Sequence, residues 1–170
     1  MVFNSPHYGN VLALDGCIQV TELDDCGYQE MISHIPMFAA HIAPKRVLIV
    51  GGGDGGVLRE VLKHSSVEVV HQCEIDQLVV EMSKKFFSTT LATSFNDPRV
   101  TMIYEDAVTY CHELNDLNSK ATTSDKCLYD CIICDSSDPV GPAADLFTPA
   151  FYNSMSQLLS PQGKQAKSMH

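Results

Sequence analysis

Gly51-Gly-Gly-Asp-Gly-Gly56 is the segment of this 170-residue chain with the clearest chemical meaning. Gly51, Gly53 and Gly56 satisfy G-x-G-x-x-G directly after the apolar run Arg46-Val-Leu-Ile-Val50 and before a helical pattern. In that context the glycines let a nucleoside approach the backbone where a strand turns into a helix. Glu74 ends the next strand, at about the spacing of an acid that binds ribose hydroxyls. Asp54 stands inside the loop, where a dinucleotide would place its pyrophosphate. A carboxylate there opposes that anion and favours a positively charged ligand such as a sulfonium or an amine. A nicotinamide cofactor is therefore the weaker fit. The rival role for Asp54 is to cap the helix that follows.

Further acids end consecutive strands, the edge at which open α/β sheets bind ligands. Glu74 and Asp76 follow the second parallel strand, Glu105 and Asp106 the third, and Asp135 and Asp138 the fourth. Each alone has an alternative as a helix-starting acid. Asp135-Ser-Ser-Asp-Pro-Val-Gly-Pro142, rigid and polar directly after an apolar strand, reads as a site loop.

These residues need a scaffold of alternating strands and helices. Tyr8–Leu14 and Cys17–Thr21, joined by Asp15-Gly16, predict a hairpin. Residues 28–39 read as a helix kinked or broken at Pro36. Parallel strands are expected at Arg46–Val50, Val67–Ile75, Val100–Tyr104 and Tyr129–Cys134. Between them, Val57, Leu58, Val61 and Leu62 mark one helix face, and Leu78, Met82 and Phe86 another. A third helix runs from Asp106 to about Leu114, and residues 115–127 read as an exposed loop. Thr148 and Pro149 start the last helix and Ser160-Pro161 stops it. The pattern predicts a doubly wound parallel sheet. Gly163–His170 is too polar for a buried fifth strand, so the sheet is expected to be incomplete after the fourth.

Composition narrows the classes. With 45% hydrophobic residues the chain suits one globular domain, not a disordered segment. No apolar run reaches membrane-spanning length, and no secretory signal opens the chain. A net charge of −10 argues against nucleic acid and suits a cationic partner. Seven scattered cysteines predict buried, reduced thiols in a cytoplasmic protein. Cys131-x-x-Cys134 has metal-site spacing, but on a strand the two thiols diverge and no second ligand pair completes a zinc site.

Gly51-Gly-Gly-Asp-Gly-Gly-Val-Leu-Arg-Glu60, Gln72-Cys-Glu-Ile-Asp76, Asp135–Pro142, Leu12–Thr21 and Tyr28-Gln-Glu30 together resemble the spermidine synthases, a family of polyamine aminopropyltransferases. The resemblance runs from about Tyr8 to Gly163. It implies a Rossmann-like, methyltransferase-type α/β fold with a β arm over residues 1–27 and a truncated catalytic domain over 28–170. It also implies transfer of an aminopropyl group from decarboxylated S-adenosylmethionine to putrescine, giving spermidine and 5′-methylthioadenosine, with no cofactor or metal and a homodimeric assembly. By similarity, Glu74 holds the ribose hydroxyls, and Asp106 with Ala107 addresses the adenine. Asp54 and Gln29 bind the donor's ammonium, Pro142 lines the adenosine pocket, and Tyr28, Asp135 and Asp138 surround the diamine.

The chemistry fits that inventory. The sulfonium is already an activated leaving group, but an amine of pKa ~10.4 is mostly protonated at neutral pH. Asp135 is the candidate acceptor of the amine's proton, directly or through water. An ordinary carboxylate lies ~6 pH units lower, a gap of ~8 kcal/mol that desolvation and the adjacent sulfonium must narrow. Family members carry an additional strand region before the equivalent of Val2 and further strands after Gly163, so the acceptor side is expected to be incomplete. The alternatives are an S-adenosylmethionine-dependent methyltransferase, including putrescine N-methyltransferase, and an inactive truncated form that pairs with a full-length subunit. A spermine-forming preference for a longer acceptor is also left open by the sequence.

Overall fold

Asp15 and Gly16 turn the chain because both adopt positive φ, 49° and 83°, matching the twist of the strands they join. The computed structural model describes residues 1–40, 42–123, 125–139 and 141–167. Strands β1 (Val2–Ser5), β2 (Gly9–Leu14) and β3 (Cys17–Thr21) form an antiparallel sheet in that order. The sequence pattern predicts only the β2–β3 hairpin. β1 is short, with Phe3 and Asn4 exposed, and is held by its ladder to β2, Val2 opposite Leu12 and Ser5 opposite Gly9.

The second sheet contains β4 (Arg46–Gly51), β5 (Val69–Cys73), β6 (Val100–Ile103), β7 (Tyr129–Asp135) and β8 (Leu159–Lys167). Its order is β6-β5-β4-β7-β8, and every neighbouring pair is parallel. Among the described residues five α-helices connect the strands: α1 (Asp25–Ala39), α2 (Gly56–Leu62), α3 (Gln77–Phe86), α4 (Ala107–Lys120) and α5 (Pro149–Gln157). A 3-10 helix covers Gly141–Phe147. Side-chain alternation along β4 and β7 divides the core in two. Val47, Ile49, Cys131 and Ile133 pack with Met37 of α1, Val57, Leu58 and Val61 of α2, and Val79 and Val80 of α3. Leu48, Val50, Ile132 and Cys134 pack with Ala107 and Cys111 of α4 and with Phe151 and Met155 of α5. Cys131 and Cys134 thus face opposite sides of the sheet, as strand geometry requires.

Several expectations are corrected. The sheet is not incomplete after the fourth strand: β8 pairs with β7 from Leu159 opposite Tyr129 to Lys167 opposite Cys134. It lies at the sheet edge, where main-chain pairing tolerates polar side chains, and Ser160 and Gly163–Ala166 are only half-buried. Pro161 falls within the register shift between Leu159 and Lys164, so its missing N–H removes no regular ladder bond. Residues 168–170 of the polar tail lie outside the described residues. Helix α1 starts at Asp25 and continues through Pro36 to Ala39, with Pro36 and Met37 buried. Helix α4 continues to Lys120, well past Leu114, and Asn118 is tied to both the N–H and the carbonyl of Cys127. On α3 the inward face is Val79, Val80 and Ser83, whereas Leu78 and Phe86 are exposed, a rotation of one residue from the expected stripe. Cys17 and Cys26 are exposed, so burial holds for Cys73, Cys111, Cys131 and Cys134 and not for the whole set. Among the described residues no helix is long and apolar enough to cross a membrane.

Candidate active site

β4 is the first strand of the parallel sheet in chain order and lies at its centre, so the chain winds outward from it on both sides and opens a crevice at its carboxyl end. The loop leaving β4 fills that crevice floor. Gly51 and Gly52 have φ of 79° and 68°, and a Cβ on Gly51 would overlap the Asp135 carbonyl oxygen. Their place is fixed by the Gly52 N–H, which donates to that oxygen at 2.9 Å. A Cβ on Gly53 would lie 2.9 Å from Glu74 Oε2, so the loop's bare backbone is what lets the Glu74 carboxylate lie against it. Glu74 Oε1 accepts the Asp76 N–H at 2.9 Å, and burial raises the carboxyl's pKa.

Asp54 accepts the Gly56 N–H at 2.6 Å and the Gln29 amide Nε2–H at 3.3 Å. The bond to the Gly56 N–H puts Asp54 at the start of α2, the capping role weighed against ligand binding in the sequence, while the Gln29 contact ties it to α1. Burial and then the Asp135 charge push the Asp54 carboxyl up to about 7. Burial likewise pushes Asp135 up to about 6, against the lowering effect of Tyr28, whose hydroxyl donates to Asp135 Oδ1 at 2.6 Å. Asp106 caps α4, accepting from the Val108 and Thr109 N–H groups and the Thr109 hydroxyl.

A cavity of about 680 Å³ joins these groups. Tyr28, Gln29, Asp54, Glu74, Asp106, Ala107, Asp135 and Asp138 all line it. Pro142 lies in the 3-10 helix, and its side chain falls outside the described residues. The acidic lining also includes Asp15, Asp24, Asp25, Asp76 and Glu105, and no lysine, arginine or histidine is among the described lining residues. Such a wall selects cations. Among the described residues no group of three or more His, Cys, Asp or Glu side chains is arranged to hold a metal ion.

Two contributors are not evident in the sequence. The β2–β3 hairpin supplies an apolar wall through Leu12, Leu14, Ile18 and Val20. Asp25, also in the lining, is held by a two-pronged pair to Arg59 at 2.8 and 3.0 Å. Arg59 further donates to Glu60 at 2.8 Å and to the Thr90 carbonyl at 2.8 Å, fastening the start of α1 to α2. Alternation in the hairpin points to one covered face but not to its partner. The distance in sequence between Asp25 and Arg59 leaves no local signal for their pairing.

The Spermine/spermidine synthase domain profile matches residues 25–169, and the Spermidine synthase tetramerisation domain profile matches residues 1–22. The chain belongs to the spermine/spermidine synthase family. A spermine synthase of Arabidopsis thaliana is 50% identical over 163 residues, covering 96% of this chain and 42% of that protein. Spermidine synthase 1 of Hyoscyamus niger is also 50% identical over 163 residues, covering 96% of this chain and 48% of its own length. A crystal structure of spermidine synthase in complex with the transition state analogue AdoDATO superposes with a TM-score of 0.87 at 41% identity, over 98% of this chain and 53% of that one. Spermidine synthase from Thermotoga maritima gives a TM-score of 0.82 at 39% identity, over 98% and 50%. The chain thus spans about half the length of its family relatives.

Proposed function

We propose that the cavity binds decarboxylated S-adenosylmethionine and a diamine and transfers the aminopropyl group between them, making the chain a spermidine synthase in activity. The observation that carries this reading is the acid-walled cavity in which Asp54, inside a nucleoside-type glycine loop, and the neighbouring Asp135 are both raised by burial. An aminopropyl sulfonium and a diamine bring the positive charges such a wall lacks. In this reading Glu74 binds the ribose hydroxyls, Asp106 and Ala107 meet the adenine, and Pro142 borders it. Asp54 and Gln29 take the donor's terminal ammonium. Tyr28, Asp135 and Asp138 hold putrescine.

The amine lone pair forms the new N–C bond to the methylene beside sulfur, the C–S bond breaks, and its electron pair reduces the sulfonium's charge to leave neutral 5′-methylthioadenosine. The ammonium must first lose a proton, and Asp135 is its acceptor, directly or through water. A carboxyl at about 6 narrows the gap to an amine of ~10.4 from ~8 to ~6 kcal/mol before the sulfonium acts. Alignment of two held cations supplies the remaining advantage. The donor is consumed, so no resident cofactor is required. The free cysteines, four of them buried, suit a reducing compartment such as the cytoplasm, and the match of residues 1–22 to a tetramerisation domain suits self-association with a homodimer as the smallest unit.

The test pairs a melt with an assay. A cooperative transition should rise with 5′-methylthioadenosine, since a ligand of the native state stabilises it. Turnover should follow with putrescine, spermidine being assayed beside it as acceptor. Asp135→Asn should lower turnover at least a hundredfold with donor affinity nearly unchanged. Full turnover in that variant would remove Asp135 from its role, and a melt indifferent to the nucleoside would remove the donor site.

A further inference from the structure

Gln72 belongs to the floor of the crevice but not to its lining. It is fully buried on β5, between the glycine loop and the sheet. Its Nε2 donates to two consecutive carbonyls, Gly51 O at 2.9 Å and Gly52 O at 2.7 Å. Both neighbours are acceptors, so the amide orientation is fixed: the nitrogen must face the loop. The cost is visible on its other side, where Oε1 is buried with no hydrogen-bond partner among the described residues. An amide buried with one orphan oxygen serves the two carbonyls, not general packing.

Those carbonyls belong to the turn that leads to Asp54 and touches Asp135. Gly51 and Gly52 share the left-handed turn that presses against the Asp135 main chain, and the Gly52 N–H donates to Asp135 O at 2.9 Å. A Cβ on Gly52 would stand 3.3 Å from both Gln72 Nε2 and Asp135 Oδ2. The Gly52 carbonyl also receives the Gly55 N–H at 2.9 Å, closing the turn that carries Asp54. One side-chain amide thus tethers the segment that sets Asp54 against Asp135.

We propose that Gln72 is a positioning residue for the donor's cationic arm: it holds the Gly51-Gly52 turn so that Asp54 lies where the donor's ammonium binds. This rests on the aminopropyl-transfer reading. It goes beyond it by separating two kinds of ligand. A slack turn should misplace Asp54, which only the ammonium-bearing donor needs, more than Glu74, which both donor and nucleoside product use.

The test is calorimetric binding of decarboxylated S-adenosylmethionine and of 5′-methylthioadenosine to the full chain, unaltered and as Gln72→Met, which keeps the length and removes both donors. Affinity for the decarboxylated donor should fall about tenfold, about 1.4 kcal/mol, and that for 5′-methylthioadenosine by threefold or less. Equal losses, or no loss, would overturn the proposal. Should Gln72→Met fail to fold, Gln72→Glu decides. Its carboxyl donates only when protonated, so its donor affinity relative to the unaltered chain should recover as pH falls from 8 to 5. A pH-independent ratio would overturn the role. Failure of the unaltered chain to bind either ligand would overturn the aminopropyl-transfer reading itself, and this inference with it.

Discussion

Asp54→Asn should stabilise the ligand-free protein and weaken its grip on the donor. Burial and the Asp135 charge raise the Asp54 carboxyl from 3.8 to about 7, so between those values the folded state holds more protons than the unfolded one. A group raised in this way favours the fold at low pH, and the advantage is lost as pH climbs through the window; by pH 8 the ionised carboxylate opposes folding. A displacement of about three pH units is worth about 4 kcal/mol. Asp135 shares that burden, so removing one charge should recover about half, ~2 kcal/mol, or roughly 4–8 °C for a chain of this size. Thermal melts of both proteins from pH 5 to 8 give the readout. The variant's margin should widen steadily with pH while its affinity for decarboxylated S-adenosylmethionine falls at least tenfold. A margin that is constant with pH, or a variant less stable than the unaltered chain at pH 8, would refute the picture of two strained carboxylates awaiting a cation.

Three further outcomes follow from the same geometry. Tyr28→Phe removes the 2.6 Å hydrogen bond that restrains the rise of Asp135, so the acidic limb of the kcat/KM profile should move to higher pH. Arg59→Met leaves Asp25 without its two-pronged partner beside the buried Glu60, which should cost about 3–5 kcal/mol. Differential scanning calorimetry should record this as a loss of roughly 10 °C. Added salt should weaken binding of the decarboxylated donor far more than that of 5′-methylthioadenosine, because only the former carries the charge that the acidic wall attracts; calorimetry at two ionic strengths checks this.

The site is more legible in the sequence than the scaffold is. The glycine loop and the acids after β4, β5, β6 and β7 follow apolar runs, and local pattern locates such runs to within a residue or two. Three kinds of feature are hidden. β8 is polar because an edge strand is held by its main chain, and apolar periodicity is blind to that. The inward face of α3 lies one residue from the expected stripe because Leu78 and Phe86 are apolar yet exposed, and only packing decides which of two overlapping stripes turns inward. The Asp25–Arg59 pair and the hold of Gln72 on Gly51 and Gly52 join residues distant in sequence, so no local spacing announces them.

The most direct measurement is the ratio of dissociation constants for intact and decarboxylated S-adenosylmethionine, measured on the unaltered chain in low-salt buffer. The two ligands differ only by a carboxylate. A cavity walled by Asp54, Glu74 and Asp135, with no lysine, arginine or histidine among its described lining residues, should reject that group. The decarboxylated ligand should bind at least tenfold more tightly. Equal affinities, or a preference for the intact molecule, would contradict an aminopropyl donor site and point to methyl transfer instead.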